Sequence, residues 1–134
     1  MGRIDDRLTE LGLTLPEPMT PPGNFKLVNV QGVVGRDLTL DEGYNAARLT
    51  GLSILASLKK ELRELDRVTQ WLRAVGYVQT APDFHDNAKV LNGFSDLIVE
   101  LWGENGRHAR SAPGQGPSPL NVPVIVDAIV AVAD

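Results

Sequence analysis

Apolar residues recur at a helical spacing in three stretches of the chain. Residues 3–11 predict a short helix with Ile4, Leu8 and Leu11 on one side. A second helix begins at the T-x-x-E capping box of Thr39 to Glu42 and is expected to end near Leu62 to Leu65. The third helix is predicted over Asp86 to Gly103, where one stripe has the 3.6-residue period: Val90, Leu91, Phe94, Leu97, Ile98, Leu101 and Trp102.

Three other stretches have patterns that are compatible with β-strands. Phe25 to Val30 alternates and predicts a first strand, and Val122 to Val132 is apolar on both alternating faces, as in a strand that is covered on both sides. Val68 to Gln79 fits either a helix or a strand, and periodicity alone does not decide between them. The order of elements favours an α+β fold with helices on one face of a sheet.

Prolines and glycines divide the chain between these elements. The segment from Pro16 to Gly23 holds four prolines and is expected to be extended, because proline fixes φ and removes a donor. Residues 113–119 (PGQGPSP) are expected to form a loop. We therefore expect one domain over residues 1–134, in which residues 1–24 form an N-terminal helix and a proline-rich extension.

Composition narrows the possible functions. The chain has 134 residues, no cysteine and a formal net charge of −4, so thiol chemistry is excluded and nucleic-acid binding is disfavoured. No apolar run has the length of a membrane span and the N-terminus lacks a signal-peptide pattern, so the expected location is the cytoplasm. The two histidines, His85 and His108, have no ligand-like spacing, so no metal site is expected.

The candidate chemistry lies near the C-terminus. Asp127 is the only charged residue of the last predicted strand, and a buried carboxylate requires a partner. Arg110 lies upstream, and an arginine fork can pair bidentately with a carboxylate of the protein or of a ligand. From the residues alone, a structural ion pair and a ligand site both remain open.

Several motifs together resemble the RidA/YjgF family, whose members are also called L-PSP endoribonuclease-like. The resemblance covers most of the chain, with an N-terminal extension typical of a less studied branch. It rests on LxxLGLTLP from Leu8, GRDLTLDEGYNAARL from Gly35, LDRV from Leu65, VLNGFSDLIVELWGENGRHARSA from Val90 and the triplet Asp127-Ala128-Ile129.

This resemblance implies a chorismate-mutase-like α+β fold with two main helices on one face of a mixed sheet, and Val68 to Gln79 as a strand. It also implies a homotrimer with clefts between subunits. The family activity is hydrolysis of reactive 2-imino acids or their enamine tautomers to 2-keto acids and ammonia, without a metal or organic cofactor. The expected ligand is thus a small carboxylate or imino acid.

The resemblance also assigns roles to individual residues. Arg110 matches the arginine that binds the substrate carboxylate, and Asn92 matches an asparagine that lines the same cleft. Phe25 falls where the family usually has a tyrosine. Ile125 occupies the position of the glutamate that activates water, and Asp127, about 6.5 Å further along the strand, is the acid that could replace it.

Two further differences separate this chain from the family pattern. Only Gln31 to Val34 lie between FKLVNV and GRDL, so the second strand of the family and its cleft serine are expected to be missing. The segment after Arg110 is a strand in the family, whereas PGQGPSP is expected to break that sheet edge.

These features leave two functional hypotheses, and Ile125 separates them. The first is an enamine/imine deaminase in which Arg110 anchors the substrate and Asp127 assists. The second is a non-catalytic protein that binds small carboxylates or takes part in interactions on the same scaffold. A ribonuclease is disfavoured by the acidic composition and the lack of an acid-base pair.

Overall fold

The structure is a computed structural model that describes residues 2–18 and 30–134. Its α-helices are α1 (Arg3–Glu10), α2 (Leu40–Leu62) and α3 (Asn87–Trp102). Its strands are β1 (Val68–Gln79), β2 (Ala109–Ser111), β3 (Gly114–Gln115) and β4 (Val124–Val132). Short 3-10 turns occupy Leu65–Arg67, Gly103–Gly106 and Pro119–Asn121. No helix in the described ranges combines the length and the apolar character needed to cross a bilayer.

The sheet is mixed and is organised around β1. β4 runs antiparallel along one edge of β1, from the pair Val68–Val132 to the pair Val78–Val124. β2 and β3 run parallel to β1 and lie successively along its other edge. The long strand β1 therefore fixes the position of each shorter strand, including β2, which carries Arg110.

The core lies between one face of this sheet and the two long helices. Trp71, Ala74 and Val78 of β1 are buried against the stripe of α3, where Phe94 and Leu97 have no exposed surface. The Trp71 ring packs edge-on against Phe94, with centroids 5.9 Å apart, and against Trp102 at 5.3 Å. Such aromatic pairs add stability beyond the burial of their area. These contacts hold α3 at a fixed height above the sheet.

The two long helices approach each other closely at their small residues. Gly93 of α3 lies so near α2 that an added Cβ would be 2.0 Å from the Tyr44 carbonyl oxygen. On the same pair of helices, the Tyr44 hydroxyl donates to Asp96 Oδ2 at 2.6 Å. This hydrogen bond raises the pKa of Tyr44 to about 12, because ionisation would remove the donated proton beside a carboxylate. The contact strengthens the pairing of α2 with α3.

Helix α1 is attached to the rest of the chain by a carboxylate from outside the helix. The backbone N–H groups of Arg3 and Ile4 both donate to the carboxylate of Asp66, at 2.8 Å each. The first N–H groups of a helix have no internal partner, so Asp66 serves as a remote cap. Ile4 and Leu8 are buried beneath α1 and complete its docking.

Most of the predicted elements are confirmed. Helices are found where the apolar stripes predicted them, the Thr39 capping box is formed, and residues 124–132 are a strand. The ambiguous stretch of residues 68–79 is a strand, as the family resemblance implied. The predicted strand of Phe25 to Val30 lies, except for Val30, outside the described residues.

The proline-rich segment after β2 differs in part from the expected loop. Gly114–Gln115 forms the short strand β3, parallel to β1, and Pro119–Asn121 forms a 3-10 turn. Ala112 and Pro113 separate β2 from β3, although the Pro113 carbonyl still accepts from the Val78 N–H at 3.1 Å. Proline cannot donate to a ladder, which accounts for the interruption at this edge. The edge is therefore broken but not lost.

Candidate carboxylate-binding site

Arg110 extends from the sheet toward the helical layer. Its Cα is in register with Ala74 of β1, whose side chain is buried beneath the helices. Residues in register across a sheet have side chains on the same face, so Arg110 reaches α3. Its Nη1 donates to Asn92 Oδ1 at 2.7 Å and to Ser95 Oγ at 3.2 Å. Its Nη2 donates to the Ala88 carbonyl oxygen at 3.3 Å.

The three acceptors lie on one side of α3. Residues 88, 92 and 95 are separated by four and three positions, which places them on the same face of a helix. They fix the guanidinium on one side, and they leave its Nε–H and one Nη2–H without an acceptor among the described residues. We call these two donors the Nε edge of Arg110. A carboxylate can accept from two neighbouring guanidinium donors at once, so this edge has the geometry of an anion site.

The Ser95 hydroxyl links Arg110 to His108. Ser95 Oγ lies 2.9 Å from His108 Nε2, and His108 Nδ1 lies 2.6 Å from the Gly106 carbonyl oxygen. A carbonyl oxygen can only accept, so Nδ1 carries a proton, and in the neutral imidazole Nε2 accepts from the serine. The hydrogen bonds therefore run in one direction, from Arg110 through Ser95 and His108 to Gly106.

The other proposed acid, Asp127, lies on the opposite face of the sheet. Its Cα pairs with Val75 of β1, the residue next to Ala74, so its side chain points away from the helices. Asp127 is exposed and forms no ion pair with any described residue. The expectation of a buried carboxylate was wrong, because nothing described in this chain covers the outer face of β4. Asp127 and Arg110 thus do not meet within one chain.

Ile125 shares the outer face with Asp127. It pairs with Tyr77 of β1 and is half-buried. An alkyl side chain offers no acceptor for a water proton, so Ile125 cannot act as a general base. The remaining residue assigned from the sequence, Phe25, lies outside the described residues.

A groove in the described ranges lies between α2 and residues 119–126, away from Arg110. It has a volume of about 710 Å³ and an almost entirely apolar lining that includes Ile54, Leu58, Leu120 and Val124. Arg110 does not line this groove, so the groove and the candidate carboxylate site are separate. Across residues 2–18 and 30–134, no three His, Asp or Glu side chains are grouped in a way that could hold a metal ion.

Two residues of the site were not predicted from the sequence, although Arg110 and Asn92 were. Ser95 and His108 complete the hydrogen bonds around the arginine. The spacing of Asn92 and Ser95 on one face of α3 was an available signal, since a polar pair beside an apolar helix stripe requires partners. The approach of His108 depends on the 3-10 turn before β2, which the sequence pattern did not predict.

Comparison with known proteins places these features in a family. The family model described as "YjgF/chorismate mutase-like, putative endoribonuclease" matches residues 21–131. The chain belongs to this family, and its described fold is the mixed α+β fold of the family. The protein TCP17 of Trypanosoma cruzi is 33% identical over 150 aligned residues, which cover 96% of this chain and 94% of TCP17.

Two crystal structures are similar over nearly the whole chain. A protein of unknown function from Agrobacterium tumefaciens has 37% identity and a TM-score of 0.87, over 98% of this chain and 94% of that one. A "putative endoribonuclease" from Shewanella oneidensis has 31% identity and a TM-score of 0.88, over 98% of this chain and 100% of that one. Both crystal structures therefore share the fold of this chain.

Proposed function

We propose that this protein binds the carboxylate of small 2-oxo and 2-imino acids at the Nε edge of Arg110. The observation that carries the proposal is the orientation of the guanidinium, which three acceptors on α3 hold on its other side. A donor pair that is already fixed loses little entropy when a ligand binds. The position of Arg110 in the GRHARSA motif agrees with the carboxylate-binding arginine of the RidA family.

The reaction that we propose for this site is hydrolysis of 2-imino acids. Water adds to the imine carbon, the C–N bond then breaks, and the products are a 2-keto acid and ammonia. Arg110 would fix the carboxylate and thereby the neighbouring imine carbon, which favours attack by reducing the freedom of the substrate. The proposed reaction consumes only water and requires no cofactor.

Asp127 is our candidate for the group that orients the attacking water. Because Asp127 and Arg110 point to opposite faces of the same sheet, one chain cannot bring both to a single ligand. The carboxylate would have to come from a neighbouring subunit, and the proposed catalytic site is therefore an intersubunit site. Asp127→Asn is expected to lower the rate of hydrolysis by about 100-fold or more if Asp127 acts as a general base.

The corresponding assembly is a homotrimer joined through the outer face of the sheet. On the face of the sheet that the helices do not cover, Ile129 of β4 is 59% exposed and Tyr77 of β1 is 37% exposed, which is an unusual surface for an isolated chain. Sedimentation equilibrium is expected to give three times the 14.5 kDa mass of one chain. Ile129→Asp should shift the mass toward one chain, whereas Leu49→Asp, on the exposed side of α2, should not. A wild-type protein of single-chain mass would refute the trimer.

Binding without turnover is the second candidate, and Ile125 favours it because this position lacks the acid that the family uses. Freshly generated 2-iminobutyrate distinguishes the two functions when release of 2-oxobutyrate is followed over time. Acceleration by the wild type that Asp127→Asn removes supports the deaminase. Saturable pyruvate binding without acceleration of hydrolysis supports the second candidate. The absence of both pyruvate binding and acceleration contradicts the proposed site.

A cytoplasmic location stays a prediction from the sequence.

A further inference from the structure

We infer that Ser95 and His108 are positioning residues, which set the orientation of the Arg110 guanidinium and thereby the affinity of the site for carboxylates. This inference rests on the proposed function and extends it to two residues that do not touch the ligand. Its basis is the directed series of hydrogen bonds from Arg110 Nη1 to Ser95 Oγ at 3.2 Å and from Ser95 to His108 Nε2 at 2.9 Å.

The series ends on a rigid anchor. Gly106 is buried, and an added Cβ there would be 2.6 Å from the Ile98 carbonyl oxygen, so the turn is packed against the backbone of α3. The Gly106 carbonyl oxygen accepts from His108 Nδ1, and the imidazole also packs edge-on against Phe94 with centroids 5.8 Å apart. The ring therefore has a fixed position, and in its neutral form the Nδ1–H tautomer offers an acceptor to Ser95.

The acceptor on His108 determines how Ser95 is used. With its proton donated to Nε2, the hydroxyl presents a lone pair to Arg110 Nη1. Without His108 the hydroxyl can rotate and donate elsewhere, and Arg110 then loses one of its three fixed contacts. Groups that orient a binding residue in this way commonly affect its affinity as strongly as direct contacts do.

The Ser95–His108 pair also has the spacing of a nucleophile and its base. Two features argue against that role. Arg110 donates into the serine oxygen that would have to attack, and the described groove lies at another place in the fold. The geometry therefore points to positioning, and a fluorophosphonate probe should leave Ser95 unlabelled. Labelling of Ser95 that depends on His108 would overturn the inference in favour of a nucleophile.

Matched variants test the inference by the Kd for pyruvate. Ser95→Ala and His108→Phe are expected to raise Kd about tenfold, because each removes a hydrogen bond that supports a charged group. His108→Phe keeps an aromatic ring against Phe94 and so preserves packing. Ser95→Thr and His108→Gln restore a hydroxyl and an acceptor, respectively, and should recover most of the affinity. In the hydrolysis assay the loss should appear mainly in KM.

The outcomes separate this inference from the proposed function. If Arg110→Ala abolishes pyruvate binding while Ser95→Ala and His108→Phe leave it unchanged, only the inference fails. If Arg110→Ala leaves binding unchanged, the proposed function fails. If Ser95→Thr and His108→Gln lose as much pyruvate affinity as Ser95→Ala and His108→Phe, the two residues have a structural role, and the inference of positioning is overturned. Thermal unfolding of each variant identifies any loss of folding.

The tautomer provides a readout that general stability does not change. When the imidazole of His108 is neutral, nitrogen NMR should show its proton on Nδ1. Ser95→Ala removes the donor to Nε2, so the Nε2 resonance should shift more than that of Nδ1. A proton on Nε2 in the wild type would contradict the proposed direction of the hydrogen bonds.

Discussion

Arg110→Ala is expected to raise the Kd for pyruvate by about 100-fold, as measured by isothermal titration calorimetry. Two charge-assisted hydrogen bonds would be lost, each of which contributes about 1.5 kcal/mol or more, and 1.4 kcal/mol corresponds to a factor of ten. Arg110→Lys keeps the charge but not the planar pair of donors, so its affinity should lie between those of the wild type and the alanine variant.

A neighbouring arginine provides the matched control. Arg107 lies three residues upstream, is exposed, and pairs with Glu104 at 3.0 Å. Arg107→Ala changes the net charge by the same amount as Arg110→Ala, so a general electrostatic effect would appear in both. Equal losses of affinity in the two variants would contradict a specific site at Arg110. Pyruvamide, which lacks the carboxylate, should bind weakly to every variant.

Gly93→Ala is expected to cause the largest loss of stability, about 3 kcal/mol in the free energy of unfolding. The new Cβ would be 2.0 Å from the Tyr44 carbonyl oxygen and 3.1 Å from the Arg48 backbone nitrogen. Both neighbours belong to the backbone of α2, so the clash cannot be relieved by a side-chain rotation. The two helices would have to separate, and urea unfolding followed by circular dichroism measures the cost.

Gly116→Ala is the control for the glycine substitution itself. Nothing lies within 4 Å of the position that its Cβ would take, and the residue does not have a positive φ. This variant should stay within about 0.5 kcal/mol of the wild type. Because α3 carries the acceptors of Arg110, Gly93→Ala should also weaken pyruvate binding. A Gly93→Ala protein as stable as Gly116→Ala would contradict the close helix contact.

The helices could be predicted from the sequence because their signals are local. The Thr39 capping box and the apolar stripe of α3 each occur within one element. Residues 68–79 were ambiguous for a physical reason. Register shifts near Gln70 and near Leu72 interrupt the alternation of β1, so buried residues recur at three-residue intervals from Val68 through Trp71 to Ala74. A strand with such irregularities resembles a helix in its apolar pattern.

The candidate site could be predicted only in part. Arg110 was proposed from its position and chemistry, Asn92 from the family motifs, and the structure brings the two together. Ser95 and His108 were missed because their contact joins α3 to the residues that precede β2, and no local pattern encodes that approach. Asp127 was expected to be buried because β4 is apolar on both faces. Within one chain only the helix side is covered, so a strand pattern of this kind can indicate an interface between subunits.

The most direct test of the central claim is the NMR signal of the Arg110 Nε–H group during titration with pyruvate. We expect a saturable shift of this signal, with a Kd equal to that from calorimetry, while the Nε–H signal of Arg107 stays nearly constant. Pyruvate binding that saturates without a shift at Arg110 would show that the carboxylate binds elsewhere and would contradict a site at Arg110.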